Sequence, residues 1–181
     1  MSEPVELKTA RLLLRPYRIT DAEDMFAYSK DPGWSLYLGP RMPRPYLRRD
    51  ADEYVAKRVL ASWDTNPTFA IVLDSSVVCS IGLKFRESRD IAELGYSIAR
   101  AHWGKGLITE AARAVIDWVF SHRELGKVIA TADLPNPGSW RVMEKLGMTR
   151  EGVLRNEGVV QGQAGDMVYY GLLREEWEGE R

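Results

Sequence analysis

At 181 residues the chain is long enough for one domain with a sizeable core, and 45% hydrophobic with 28% charged residues is ordinary for a globular protein. Its 25 basic and 26 acidic side chains nearly cancel, so no global field argues for nucleic acid. A single cysteine and two histidines argue against a disulfide framework and a metal centre, and no apolar run reaches the roughly eighteen residues that span a bilayer.

The opening stretch, MSEPVELKTARLLLRP, is too charged around too short an apolar run for a signal peptide, which makes the cytoplasm the expected compartment. Leu12, Leu13 and Leu14, between Arg11 and Arg15 and stopped by Pro16, predict a first strand. Thr20-Asp21-Ala22-Glu23 has the T-x-x-E form of a capping box, so a helix is expected through about Ser29, ended by Asp31-Pro32-Gly33.

From Trp34 to Tyr46 three prolines preclude a regular helix and predict a stiff loop. Such a loop can wall a substrate pocket through Trp34, Tyr37, Arg41 and Tyr46, or its aromatics can simply pin it to the core; both readings stay open. Arg41, Arg44, Arg48 and Arg49 form either a solvated face or a field that attracts an acidic acceptor. Leu47 to Trp63 then predicts a helix with Tyr54, Val55, Val59, Leu60 and Trp63 on its apolar side.

Phe69–Leu73 and Val77–Leu83, joined by Asp74-Ser75-Ser76, predict an antiparallel hairpin. Cys79, inside the apolar run of its second strand, reads as a buried small hydrophobe. Arg86 to Asp90 is a polar turn before the most informative stretch of the chain.

That stretch is IAELGYSIARAHWGKGLITEAARAVIDWVFSH, Ile91 to His122. Alternation puts Ala92, Leu94, Tyr96 and Ile98 on one face of a strand and Glu93, Gly95 and Ser97 on the other. Trp103-Gly104-Lys105-Gly106 follows as a turn, and a mostly buried helix then runs to His122 with only Glu110, Arg113, Asp117 and Ser121 as its polar stripe. Glycines ahead of a helix N-terminus can bring free N–H groups close to a phosphate or merely shape a tight connection. The spacing matches neither a P-loop nor a dinucleotide fingerprint.

Lys127–Asp133 predicts a strand parallel to the Ile91 strand through a right-handed crossover. Asn136 suits an N-cap, Pro137 the first helical position and Gly147 the stop of a short helix. Two helix N-termini thus open at one sheet edge, an arrangement that favours an anionic ligand. Met148–Asn156 and Asp166–Leu173 predict a last strand pair linked by a loop from Gly158 to Gly165, and Glu175–Arg181 a charged tail with Trp177 docked on the body.

In this order, ELGYSI, HWGKGLITEAARAVIDWVF, NPGSWRVMEKLGMTREGVLR and GQAGDMVYY resemble the GCN5-related N-acetyltransferase (GNAT) superfamily, in its RimJ/RimL-like branch of ribosomal-protein N-terminal acetylases. The resemblance begins at TARLLLRPYRITDAEDMF and covers nearly the whole chain. It implies one α+β domain over residues 1–181, with a mixed sheet of about seven strands splayed between the fourth and fifth, at Ile91 and Lys127, and about four helices.

It further implies acetyl-CoA as co-substrate, no metal, and an amine acceptor that is a small molecule or a protein N-terminus. The diphosphate would sit on backbone N–H groups of Trp103, Gly104, Lys105, Gly106, Leu107, Ile108 and Thr109, and the pantetheine arm along Tyr96, Ser97 and Ile98. Asn136 and Ser139 match the family's N-x-x-S positions, and Arg141 and Lys145 would reach the adenine-side phosphates. The usual Gln or Arg three residues before the first glycine is Ala101 here, leaving Arg100 or His102 as substitutes.

An alkyl amine near neutral pH is mostly protonated, so the reaction needs a base, an oxyanion donor and an acid for the thiolate. Glu93 is the candidate base, with Glu157 and Asp166 in reserve, Ser139 is the candidate acid, and Asn136, placed by the resemblance beside the pantetheine and sulfur, completes the candidate catalytic set. Glu110 reads as structural. A non-catalytic acyl-CoA binder on the same scaffold is the alternative, and the sequence leaves a homodimer open.

Overall fold

The computed structural model describes residues 3–39, 42–86, 90–160 and 162–179. One sheet of eight strands has the order β1-β2-β3-β4-β5-β6-β8-β7, where β1 is Leu7–Lys8, β2 Leu13–Pro16, β3 Thr68–Leu73, β4 Ser76–Phe85, β5 Ile91–Ile98, β6 Lys127–Asp133, β7 Thr149–Val160 and β8 Gln163–Leu173. Every neighbouring pair is antiparallel except β5 and β6, which are parallel as the intervening helix requires. The helices are α1 (Ala22–Ser29), α2 (Arg48–Val59), α3 (Leu107–His122), α4 (Pro137–Lys145) and α5 (Arg174–Gly179).

Strand alternation sorts the residues into two cores. On β3, Phe69 and Ile71 face the larger one, built from α3, α4 and Trp177 of α5, while Ala70 and Val72 face the smaller one under α1 and α2. Trp63, Phe69 and Trp118 meet edge to face in the larger core, with centroids 4.9, 5.6 and 6.2 Å apart. Cys79 is fully buried there, and burial pushes its thiol up.

Four expectations change in detail. Thr20 does not cap α1: a 3₁₀ turn over Ile19–Asp21 precedes the helix, Asp21 stands at the N-cap position without a side-chain bond into α1, and its Oδ2 instead accepts the Arg18 N–H at the start of the turn, at 2.8 Å. Glu23 is drawn instead to Arg48 on α2. Helix α2 stops at Val59, so Val59 and Leu60 are exposed, because Ser62 caps a turn that carries Trp63 into the other core.

In the β3–β4 hairpin, Asp74 and Ser75 alone form the turn, at φ 49° and 72°, and Ser76 already pairs with Leu73. A two-residue turn with both φ positive matches the twist of the strands it joins. The expected loop from Gly158 to Gly165 is a continuation of the hairpin, in which Gly158 pairs with Gly165 and Val160 with Gln163. Gly158 is a close-approach position, since a Cβ there would run into Asp133 and Met167.

The charged tail does dock. Trp177 is buried, its indole N–H donating to Asp117 Oδ1 at 2.8 Å, and Arg174 donates to the carbonyls of Phe120, Arg123 and Leu125 where α3 ends. Residues 87–89 of the polar turn, and Glu180 and Arg181 of the tail, lie outside the described residues.

Candidate active site

Strands β5 and β6 are paired only at Ile91, Ala92 and Glu93, against Lys127, Val128 and Ile129. Beyond that point β5 stays with β4 out to Ile98, and β6 stays with β8 out to Asp133. The sheet therefore opens like a fork at Glu93, with one backbone edge of Leu94–Ile98 released from its neighbour. The fork exists because each strand has a stronger antiparallel partner on its other side, so twist accumulates at the single parallel seam.

Two helix N-termini follow the parted ends of β5 and β6. Gly104 and Gly106 take φ 72° and 76°, a left-handed conformation that a Cβ makes costly, and Gly106 is the N-cap of α3. Among the described residues, no acceptor engages the backbone N–H of Gly104, Lys105, Gly106, Leu107, Ile108 or Thr109, whereas that of Trp103, expected with them, is taken by Arg100 O at 3.1 Å. The N-terminus of α4 is capped by Asn136, whose Oδ1 accepts the Ser139 N–H at 3.2 Å, with Pro137 next as expected.

Tyr96 crosses the fork. Its hydroxyl donates to the Ser139 carbonyl and receives the Ser139 hydroxyl, both at 3.0 Å, and burial pushes the phenol up to about 12. The sequence named Tyr96 only for its backbone; the hydroxyl contact with Ser139 joins residues 43 apart. Ile98 O accepts the Trp103 indole N–H at 3.1 Å, which folds the bend back onto the free edge.

The bend is braced from below by Glu110. Its Oε1 accepts from Thr9 Oγ1 at 2.6 Å and from the Arg11 N–H at 2.9 Å, and its Oε2 from Arg11 Nε at 2.7 Å, while Arg11 Nη1 reaches Lys105 O at 3.1 Å. Burial alone would raise this carboxyl, but the hydrogen bonds from Thr9 and Arg11 outweigh it and hold the group below its usual range. A lowered native value gives stability that is present above the unfolded value, near 4.5, and lost as pH falls through the native one. The stability gap between the native chain and Glu110→Gln is therefore expected to be largest at neutral pH and to close in acid, as read by urea denaturation at about pH 7 and about pH 3.

Arg100 is committed elsewhere, to Asp31 at 3.1 Å and to the Trp103 ring at 5.6 Å. His102 keeps Nδ1 buried with no partner among the described residues. Arg141 is exposed and lies over Trp140, and Lys145 is exposed with its carbonyl accepting from Arg113.

On the α1/α2 face of the fork lies a cavity of about 400 Å³. Glu93, Gly95 and Ser97 of β5 form part of its floor, as alternation predicted, and Glu93 sits 3.5 Å from Arg86. Of the four expected wall residues, Trp34 lines it. Tyr46 is buried behind, edge to face with Trp34 at 5.4 Å, so it pins the loop to the core. Tyr37 is half-buried and does not line the cavity, and Arg41 lies outside the described residues.

Arg44 donates to Ser35 O at 2.6 Å, and Arg48 pairs with Asp52 at 3.0 Å and with Glu23, so these members of the arginine cluster serve the loop and α2. Sequence reading missed Tyr54, Arg58, Ser80 and Lys84 in the cavity lining. The i,i+4 spacing of Tyr54 and Arg58 on α2 was the available signal. It also missed Asp133, buried at the end of β6 with its carboxyl raised by burial. The reserve carboxylates Glu157 and Asp166 are on the β7–β8 hairpin, where Asp166 Oδ1 accepts the Asn156 N–H at 3.1 Å.

A forked mixed sheet, a bend of free N–H donors on one side and a polar-floored cavity on the other make a scaffold on which two ligands can be brought together. Residues 11–149 match the family described as acetyltransferase (GNAT) domain. YjcK of Bacillus subtilis, named a probable N-acetyltransferase, is 36% identical over 164 residues, 86% of this chain and 90% of that one. Matches to YdaF of Bacillus subtilis, 44% over 90 residues, and to the [ribosomal protein uS5]-alanine N-acetyltransferase of Escherichia coli, 31% over 84 residues, span about half of each chain. The solved structure of RimL, the ribosomal L7/L12 α-N-protein acetyltransferase in complex with coenzyme A, shares the fold with a TM-score of 0.85 at 14% identity, covering 96% of this chain and 99% of that one. The chain belongs to the GNAT family of N-acetyltransferases.

Proposed function

We propose that this enzyme transfers the acetyl group of acetyl-CoA directly to a primary amine, with both substrates bound at once. The observation that carries the reading is the opening of β5 from β6 beyond Glu93, which leaves a free strand edge leading from the open α3 N-terminus to the acceptor cavity. The N–H groups from Gly104 to Thr109 fit a diphosphate, because they are donors without acceptors at the positive end of a helix dipole. The released edge at Tyr96–Ile98 fits an extended amide-bearing arm, which would add to β5 as a further strand.

Acetyl-CoA supplies the thioester; the chain's own groups manage the protons. Glu93, on the cavity floor, takes a proton from the ammonium form of the acceptor, directly or through a water. The neutral nitrogen then bonds to the acyl carbon, and a β5 N–H near Tyr96 steadies the oxyanion. As the carbon–sulfur bond breaks, the thiolate takes a proton from the Ser139–Tyr96 hydroxyl pair, whose phenol stays protonated at neutral pH, and the second proton shed by the newly bonded nitrogen, relayed through water, restores the pair as the amide forms. A protein N-terminus and a small amine both satisfy this chemistry.

Calorimetry with acetyl-CoA, followed by thiol release in the presence of amines and N-terminal peptides, tests the proposal. Binding followed by thiol release is expected; absence of binding would overturn the reading, and binding without release to any acceptor would convert it to a non-catalytic binder. Gly106→Val is expected to weaken acetyl-CoA binding about tenfold in the same titration. A β-branched residue held in the left-handed region costs roughly 1–2 kcal/mol, relieved only by turning the N–H groups away.

A further inference from the structure

The acceptor cavity is more specific than an amine site needs to be. Two of its lining residues carry a nitrogen that can only donate and is left without an acceptor among the described residues: Trp34 Nε1 and Arg58 Nε are both buried. Trp34 is 4% exposed, so its N–H has little recourse to bulk solvent. Arg58 lies over the Tyr54 ring at 4.9 Å, which positions the guanidinium without satisfying its donors. Leaving such groups unpaired is unfavourable, and a partner that accepts from both would relieve it.

Charge points the same way. Arg58 and Lys84 line the cavity with no carboxylate paired to either among the described residues, whereas its one acid, Glu93, is already approached by Arg86. Lys84 stands directly across from Glu93 in the β4–β5 register, so cationic and anionic ends share one floor. The lining also has an apolar part, Met25, Leu38 and Met42 with Trp34. An amine alone would use Glu93 and leave the two cations and two orphan donors idle.

We infer that the acceptor carries a carboxylate of its own beside the amine, on an apolar body, and that Arg58 and Trp34 bind that carboxylate while Glu93 receives the amine. This assignment rests on the acetyl-transfer reading above and narrows it to an amino-acid-like substrate. A cavity of about 400 Å³ lies at the small end of ligand sites, which suits one such molecule rather than a folded protein terminus. Arg58 is thereby a specificity residue, since guanidinium and carboxylate are matched in charge and in fork geometry.

The test reads binding, so it stands whether or not turnover is observed. N-acetyl-L-methionine and its carboxamide are titrated into the protein, following calorimetric heat and tryptophan fluorescence. The acid is expected to bind at least about tenfold tighter than the amide, and Arg58→Gln, checked for an unchanged circular dichroism spectrum, is expected to erase that preference while Arg58→Lys restores part of it. Equal binding of acid and amide to the native protein overturns the inference and favours a peptide-like acceptor; so does a preference that survives in Arg58→Gln. Thiol release measured separately reports on acetyl transfer, so failure of the one is not mistaken for failure of the other.

Discussion

Glu93→Gln is expected to lower kcat for acetyl transfer by about 10²-fold or more while acetyl-CoA binds as before. The substitution keeps the shape and the position at the fork but replaces a basic carboxylate by a neutral amide that does not take up the proton. Glu93 is the last β5 residue paired to β6, so its backbone is held by strands on both sides, while its side chain is on the cavity face with Gly95 and Ser97. The cradle proposed for acetyl-CoA at Gly104–Thr109 is built from backbone at the far end of the fork and does not depend on this carboxylate. Steady-state thiol release together with calorimetry separates the two effects. A loss smaller than about threefold would move the base elsewhere, to Glu157 or Asp166 on the β7–β8 hairpin or to buried Asp133.

Asp21→Asn is expected to destabilise the fold by about 3–5 kcal/mol, the usual consequence of removing one partner of a buried ion pair. Arg15 and Asp21 are joined by two hydrogen bonds, at 2.8 and 2.7 Å, with side chains only 9% and 5% exposed. Asp21 also accepts the Arg18 N–H, so one carboxylate ties the end of β2 to the entry of α1. The hydrogen bond from Arg15 to Asp21 raises the guanidinium above its already high value, so the cation cannot escape by losing its proton. The urea midpoint should fall with little change in slope. The double substitution Arg15→Met with Asp21→Leu should recover most of the loss, because the buried charges then disappear together. A single-variant effect below about 1 kcal/mol would mean that the pair is solvated.

Local rules read well wherever a few neighbouring residues decide the outcome. The alternation of Ala92, Leu94 and Tyr96 against Glu93, Gly95 and Ser97 gave the faces of β5, because successive side chains of an extended chain must point apart. Asn136 and Pro137 marked the start of α4, since a side-chain acceptor followed by a residue without an N–H is how a helix begins. The same local reading went astray at Thr20, where a 3₁₀ turn intervenes and Asp21 binds the Arg18 N–H and buried Arg15 rather than the helix, and at Gly158, where glycine served close packing rather than a turn.

By itself the amino-acid order determined the element sequence, the glycine bend ahead of α3, the parallel crossover and the family resemblance, all consequences of backbone sterics and periodicity acting over a few residues. Only the tertiary structure decided that β5 and β6 part at Glu93, that Tyr96 reaches Ser139, that Tyr46 supports Trp34 from behind, and that Trp34 and Arg58 share a cavity without acceptors. Those facts depend on segments tens of residues apart being brought together by the burial of two cores, and no local preference encodes which donors that burial leaves unpaired.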